Sequence, residues 1–384
     1  MRSDMQLPGH VALRAYVHSR RAWVAQYLGP AVTWLQEEHG FLEVSLRRGW
    51  LHGPHLELQV HDHVDREIPW EPVLHRLRRG CDAVEAEPVT EADYLRKAER
   101  LGALERVPPP YLPLYEHGTV LELTAEQVRR WDSGLDRLRG SAMARMTAPL
   151  LMTAGITDEA EFKRELASAF AAVVGIHPAG LEHGCFSLRS HVESFLQWTP
   201  HADRLREEFA RRLATDGDLV EAAVRGALAG SGSATANGWR AAAAYSAGLF
   251  DAAVASGALD YAAVQHMAVG DQTAPRIETA FSGKSLRRPD ELSEFHRTVG
   301  GTGVLDNPPG WFTSFRVVIN LFYQQLPILD VSPMTRLYLC YAVSEAVDRV
   351  TGRDWRDRLE PMKDSYQPRD LNADLGRLPG NAQG

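Results

Sequence analysis

Four histidines, His52, His55, His61 and His63, fall within one short stretch of the chain, with Asp62 and Asp65 beside them. In an extended strand, residues two apart share a face, so His61 and His63 would point the same way. Imidazoles and carboxylates so placed are a donor set for a divalent transition metal. The spacing matches no helix-borne metal motif, however, and loop histidines at the exposed end of a strand account for it without a metal. The expectation is therefore no metal site. A second group lies far along the chain, where Trp311, Ser314, Arg316, Asn320 and Tyr323 interrupt an otherwise apolar helical segment. Arg316 and Asn320 are four apart and Asn320 and Tyr323 three apart, so each pair can share a helix face. A polar stripe on a largely buried helix must either join a satisfied internal network or line a cavity. Both readings stay open at this point. Cys185 has His183 nearby in His183-Gly-Cys-Phe, but a thiol nucleophile needs a base placed in space, which adjacency does not supply. Cys340, among Leu337, Leu339 and Tyr341, reads as a core residue.

The elements that must position these groups divide unevenly along the chain. Val11–Val17 alternates as a strand does, and Arg20–Glu38 carries Trp23, Tyr27, Leu28, Val32 and Leu35 at helical spacing before Gly40 ends it. Leu42–Arg47 and Leu56–His61 are strands joined by a hairpin loop with two glycines and Pro54. Pro72–Arg79 and Glu91–Leu104 read as helices, Pro108–Pro110 as an extended spacer, and Leu112–Leu121 as a further strand or ordered loop. From Thr124 onward the pattern is mostly helical. Glu159–Val174, Ala202–Ala214 and Leu219–Leu228 are amphipathic, with Thr157 and Asp216 as caps, and the stretch from Gly230 to Thr235 reads as a flexible linker. Trp239–Ala255 and Tyr261–Val269 resume helix, Arg276–Pro309 is a long polar connection, and Trp311–Gln325 with Ser332–Thr351 forms a final apolar helical pair. The expected fold is α+β, with a strand-rich N-terminal part (residues 1–123) packed against a larger helical part (124–363) and a disordered tail (364–384).

Composition narrows the function classes. The 384 residues are 44% hydrophobic and 24% charged, enough to bury a sizeable core. A net charge of -8 gives no reason to expect nucleic acid as a partner. Arg76, Arg78 and Arg79, and Arg129 with Arg130, read as solvated helix faces. Three cysteines without CxxC spacing imply neither a disulfide framework nor a zinc site. The first residues lack the apolar run of a signal peptide, and Arg240 and Asp251 interrupt the most apolar stretch, so no membrane partner is expected and the cytoplasm is the expected compartment. No Rossmann, P-loop or GxSxG signature occurs, and no cofactor is expected.

Two segments carry a family resemblance. The stretch from Val17 to Trp23, followed by Phe41 to Val60 with Arg47 and Gly53-Pro54-His55-Leu56, resembles the opening of the thiopeptide-type bacteriocin biosynthesis family. Pro110-Tyr-Leu-Pro-Leu-Tyr-Glu-His-Gly and the helix from Ser314 to Tyr323 resemble its later segments, in the same order. The family includes the elimination domains of class I lanthipeptide dehydratases and the pyridine-forming cyclases of thiopeptides. The resemblance implies an elimination-domain-like fold and a ribosomally made precursor peptide, leader and modified core, as partner. It also implies where the chain departs from the elimination branch. Elimination domains resemble one another in two arginines on the strand after Pro-His, suited to a glutamyl carboxylate; here those places hold Glu57 and Gln59. The histidine that precedes the asparagine of their C-terminal helix is replaced by Arg316 or Val317. What the resemblance then implies is a cofactor-independent pyridine synthase, joining two dehydroalanines in a formal [4+2] cycloaddition with loss of water and leader peptide. Tyr323, Ser314, Asn320, Glu57 and His55 are its implied catalytic candidates, and Arg47, Gln59, Trp311 and Arg316 its implied substrate contacts. A stand-alone glutamate-eliminating subunit and a non-catalytic leader-peptide scaffold remain as alternatives.

Overall fold

A computed structural model describes residues 10–17, 21–63, 66–85, 89–105, 107–129, 133–199, 201–264, 292–306 and 308–362. The tail expected to be disordered lies outside these residues, as do half of the segment from Arg276 to Pro309 and the end of the helix expected over Tyr261–Val269. Strand β1 (His10–Ala15) leads into α1 (Arg21–Trp23), which continues through a π-helical turn (Val24–Leu28) into α2 (Gly29–Glu37). A hairpin of β2 (Val44–Gly49) and β3 (His55–Val60) follows, then α3 (Trp70–Asp82), α4 (Glu91–Glu105) and β4 (Val120–Thr124). The four strands form one antiparallel sheet in the order β2-β3-β1-β4. At the hairpin tip Gly53 holds φ +120°, and an added Cβ would meet Leu114 and Tyr16 at 3.2 and 3.3 Å, so this turn requires glycine.

The period of two separates the sheet's faces. Leu13, Ala15, Val44, Leu46, Leu56, Leu58 and Val60 enter the main hydrophobic core. The opposite face carries Arg14, Ser45, Arg47, His55, Glu57 and Gln59, a polar row that is almost wholly buried. Strand β4 is shorter and later than the expected Leu112–Leu121, and residues 111–118 are irregular. Pro110 and Pro113 supply no amide donors to a ladder, which explains the late start.

The remainder is helical: α5 (Ala125–Val128), α6 (Ser133–Ala154), α7 (Glu159–Val174), α8 (Leu181–Trp198), α9 (Ala202–Leu228), α10 (Ala234–Ala255), α11 (Glu294–Gly300), α12 (Gly310–Gln325), a 3-10 turn (Leu326–Leu329), α13 (Pro333–Thr351) and α14 (Trp355–Leu359). Three details differ from expectation. Asp158, not Thr157, caps α7 by accepting from the Glu161 amide at 2.7 Å. Asp216 caps nothing: α9 runs straight through it, and its carboxylate accepts from the Tyr338 hydroxyl on α13 at 2.9 Å. The Gly230–Thr235 linker is a tight turn, because Ser233 caps α10 through the Ala236 amide at 3.0 Å and Thr235 is already buried in that helix. One core cluster runs from Leu13 and Val44 through Met146, Phe170, Val318 and Phe322 to Val343 and Leu359, so the sheet and the helices bury each other's apolar faces.

Candidate active site

Two helices without a strong polar pattern overall each present one chemically active face to the same space. On α8, His183, Phe186, Ser187, Ser190, His191 and Ser194 recur at three- and four-residue intervals; on α12, Trp311, Phe312, Phe315, Arg316, Ile319, Asn320 and Tyr323 do the same. Such spacing puts each set on one side of its helix. Together with His177, Tyr261, and Phe295, His296, Val299, Thr302, Val304 and Leu305 around α11, they line a cavity of about 550 Å³. The opposite face of α12, with Val317, Val318, Leu321 and Phe322, is core. The polar stripe of α12 is therefore a cavity wall.

Burial in the wall favours the neutral forms of His177, His191 and Tyr323. His191 lies against Tyr323 with ring centroids 5.0 Å apart, and burial together with the charge of Arg336 pushes its pKa down to about 3. Burial, with the neighbouring His183, brings His177 to about 4; its ring packs edge-on against Trp311 and Phe315 at 4.6 and 5.3 Å. Burial raises Tyr323 well above the usual phenol range, so its hydroxyl keeps its proton; it lies 3.4 Å from the Cys340 sulfur. The side-chain amide of Asn320 has no hydrogen-bond partner among the described residues, which leaves both its donor and its acceptor for a guest. Arg316 donates to the Tyr261 hydroxyl and stacks over that ring at 5.3 Å. The cavity thus offers aromatic planes, one cation, one free amide and several neutral proton carriers.

The sheet network is a different place. Register pairs Glu57 with Arg47 on one side and Arg14 on the other. Arg14 donates to one carboxylate oxygen of Glu57 from Nε and Nη2 at 2.9 and 2.6 Å, and Gln59 donates to the other at 2.8 Å. Arg47 Nη1 and His55 Nε2 approach at 3.5 and 3.6 Å. Burial opposes ionisation of Glu57, but Arg47, His55 and Arg14 outweigh it and hold the carboxyl well below its usual range. Glu57 is 0% exposed and His55 4%, with burial lowering the imidazole's pKa. An anion shared among these partners anchors its neighbours.

Eight of the nine residues singled out by sequence fall in two places. Trp311, Arg316, Asn320 and Tyr323 meet in the cavity; Arg47, His55, Glu57 and Gln59 meet on the sheet, and none of these four lines the cavity. Ser314 joins neither: it is buried on another side of α12, its hydroxyl donating to the Gly310 carbonyl of its own helix at 3.4 Å. His61 and His63 do not share a strand face, because β3 stops at Val60. His61 is not exposed as a loop residue would be; its Nε2 meets the Ser45 hydroxyl at 2.8 Å, and burial with Arg139 lowers its pKa to about 4. Among the described residues no cluster of histidine, cysteine and carboxylate could hold a metal ion. Cys185 is buried against Arg358 with its thiol pKa raised by burial, and Cys340 is buried too. Sequence reasoning missed Arg14 and the α8 and α11 sides of the cavity, His177, His183, Ser190, His191, Ser194 and His296. The signal for α8 was the recurrence of His and Ser at three and four residues from 183 to 194; for Arg14 only strand register reveals it.

A comparison with family models finds no match, and neither does one with curated protein sequences. Solved structures do match. The pyridine synthase TbtD from thiomuracin biosynthesis superposes with a TM-score of 0.63 at 19% identity, over 89% of this chain and 98% of that one. TsrL superposes with a TM-score of 0.56 at 15% identity, over 94% and 99%. The chain has the α+β, elimination-domain-like fold that the sequence resemblance implies, over nearly the whole length of both proteins.

Proposed function

We propose that this chain is a peptide-tailoring enzyme of thiopeptide biosynthesis, a pyridine synthase, and that the cavity between α8, α11 and α12 is where it acts. The observation that carries the reading is the cavity's chemistry in a fold like that of a pyridine synthase: aromatic walls, an unpartnered amide and uncharged proton carriers. The reaction joins two dehydroalanines of one peptide, one of them as an azadiene in which the preceding amide is in its iminol form. Two carbon bonds form, then water leaves, then the leader peptide leaves as an amide, and the ring becomes aromatic. No electrons are gained or lost, so the chemistry asks for neither a metal nor a redox cofactor. It asks for two distant residues held in contact, which removes an entropic barrier, and for donors aimed at the iminol oxygen.

Asn320 and the protonated Tyr323 hydroxyl are the proposed donors: the amide has no partner among the described residues, and the phenol's present contact, 3.4 Å to the Cys340 sulfur, is a weak one. Trp311 and Phe312 are proposed to stack on flat rings of the peptide, and Arg316 to contact its polar groups. Glu57, Gln59, Arg47 and His55 are proposed to brace the sheet against the precursor peptide. The sheet network also bears on the alternative: a glutamyl carboxylate would meet the Glu57 carboxylate, which already accepts from Arg14 and lies 3.5 Å from Arg47. No helix among the described residues is long and apolar enough to cross a membrane, and action on a ribosomal precursor fits the cytoplasm.

Conversion of a dehydroalanine-containing precursor by Tyr323→Phe and Asn320→Ala tests the assignment. Loss of a donor to a developing oxyanion is worth roughly 100-fold or more in kcat, so both variants should fall by about that factor while folding normally. Full turnover in both would remove the cavity from the mechanism.

A further inference from the structure

His296 is held by hydroxyls on both sides of its ring. Ser293, which caps α11 by accepting from the His296 amide at 3.2 Å, also lies 2.8 Å from Nδ1. Ser190 and Ser194, one turn apart on α8, lie 3.0 and 3.3 Å from Nε2. All but Ser293 line the cavity. A hydroxyl both donates and accepts, so either ring nitrogen can take up or release a proton while keeping its partner. Three serines around one histidine at a cavity wall exceed what packing needs.

We infer that His296 is the proton shuttle of this cavity, with Ser190 and Ser194 passing the proton between its Nε2 and the bound peptide. The inference rests on the cyclisation reading and assigns its proton transfers. After the cycloaddition, loss of water removes one proton from the new ring and gives one to the departing oxygen. Loss of the leader amide removes a second ring proton and gives one to the departing nitrogen. A single imidazole that accepts and returns a proton twice balances both steps and ends as it began. It must start neutral, and burial lowers its pKa while Glu193 partly opposes this. The charged groups around it are committed elsewhere: Glu193 to Arg206 at 3.0 Å on the α8 side, and Glu294 of its own helix to Arg356 of α14 at 2.6 Å. Arg297 of α11 donates to the Leu292 carbonyl.

The test uses the full-length protein and a leader-bearing precursor with two dehydroalanines. The wild type should convert it, with kcat falling as pH drops through the His296 pKa, below 6.5. His296→Gln should lower kcat about 100-fold or more and lose that acidic limb, and imidazole in the buffer should restore part of the rate of His296→Ala. A merely structural histidine would show neither the lost limb nor the rescue. Wild-type kcat and limb in His296→Gln would overturn the shuttle and leave the cyclisation reading standing. A wild type that leaves the precursor unchanged would overturn both. Should both histidine variants fail to fold, Ser190→Ala with Ser194→Ala decides: unchanged kcat overturns the shuttle, and lowered kcat at unchanged KM supports it.

Discussion

Glu57 has no exposed surface, and its ionised carboxylate is the point at which three strands are tied together. Replacing it by glutamine leaves Arg14 and Arg47 buried beside a neutral amide. Removing one partner of a buried ion pair costs on the order of 3–5 kcal/mol, so Glu57→Gln should lower the free energy of unfolding by about 3 kcal/mol in urea titrations at neutral pH. The pH dependence has a definite sign. The folded pKa of Glu57 is depressed, so its contribution is complete above the unfolded value of about 4.3 and is lost as pH falls below it. Wild-type stability should therefore drop more steeply than that of the variant below about pH 4; parallel curves would show that Glu57 is not held ionised. At this scale the sequence was half legible. Glu57 and Gln59 stand out by position after Pro54-His55, and Asn320 and Tyr323 by their spacing. Arg14 does not, because its pairing with Glu57 is set by β1–β3 register across 43 residues of chain.

Helix α8 positions half of the cavity wall, and its seat depends on one residue. A Cβ on Gly184 would lie 1.9 Å from the Val174 carbonyl oxygen at the end of α7, and that backbone cannot rotate away as a flexible side chain could. Gly184→Ala should push α8 off α7 and cost roughly 1–3 kcal/mol or more, seen as a lowered Tm, with turnover falling because His183, Ser187 and Ser190 move with the helix. An unchanged Tm would mean that the two helices are not so closely seated. Elements of this kind were legible in kind and less so in extent. The apolar pairs α12 and α13 follow from their periodicity, since long amphipathic segments announce themselves. The unbroken run of α9 through Asp216-Gly217 does not, because a local cap signal loses to the tertiary bond from Tyr338. The α8 face was hidden because histidine and serine at helical spacing look like an ordinary half-polar surface until a second helix closes over them.

For the molecule as a whole, the sheet and the helices share one core, and the α+β class was readable from the alternating strands near the N-terminus and the helical periodicity that dominates later in the chain. Where two distant polar groups sit relative to each other was not readable, since only the packing of α12 against α10 turns its stripe toward His177 and His191 rather than toward the sheet. That separation gives the molecule a braced sheet and a distinct cavity. We propose that the cavity joins two dehydroalanines. Mass spectrometry of a leader-bearing, dehydroalanine-containing precursor after incubation with the protein tests it most directly. The expected outcome is release of the intact leader as an amide and a core product lighter by that amide and one water. Loss of glutamate from a glutamylated precursor, or tight binding with unchanged mass, would contradict it.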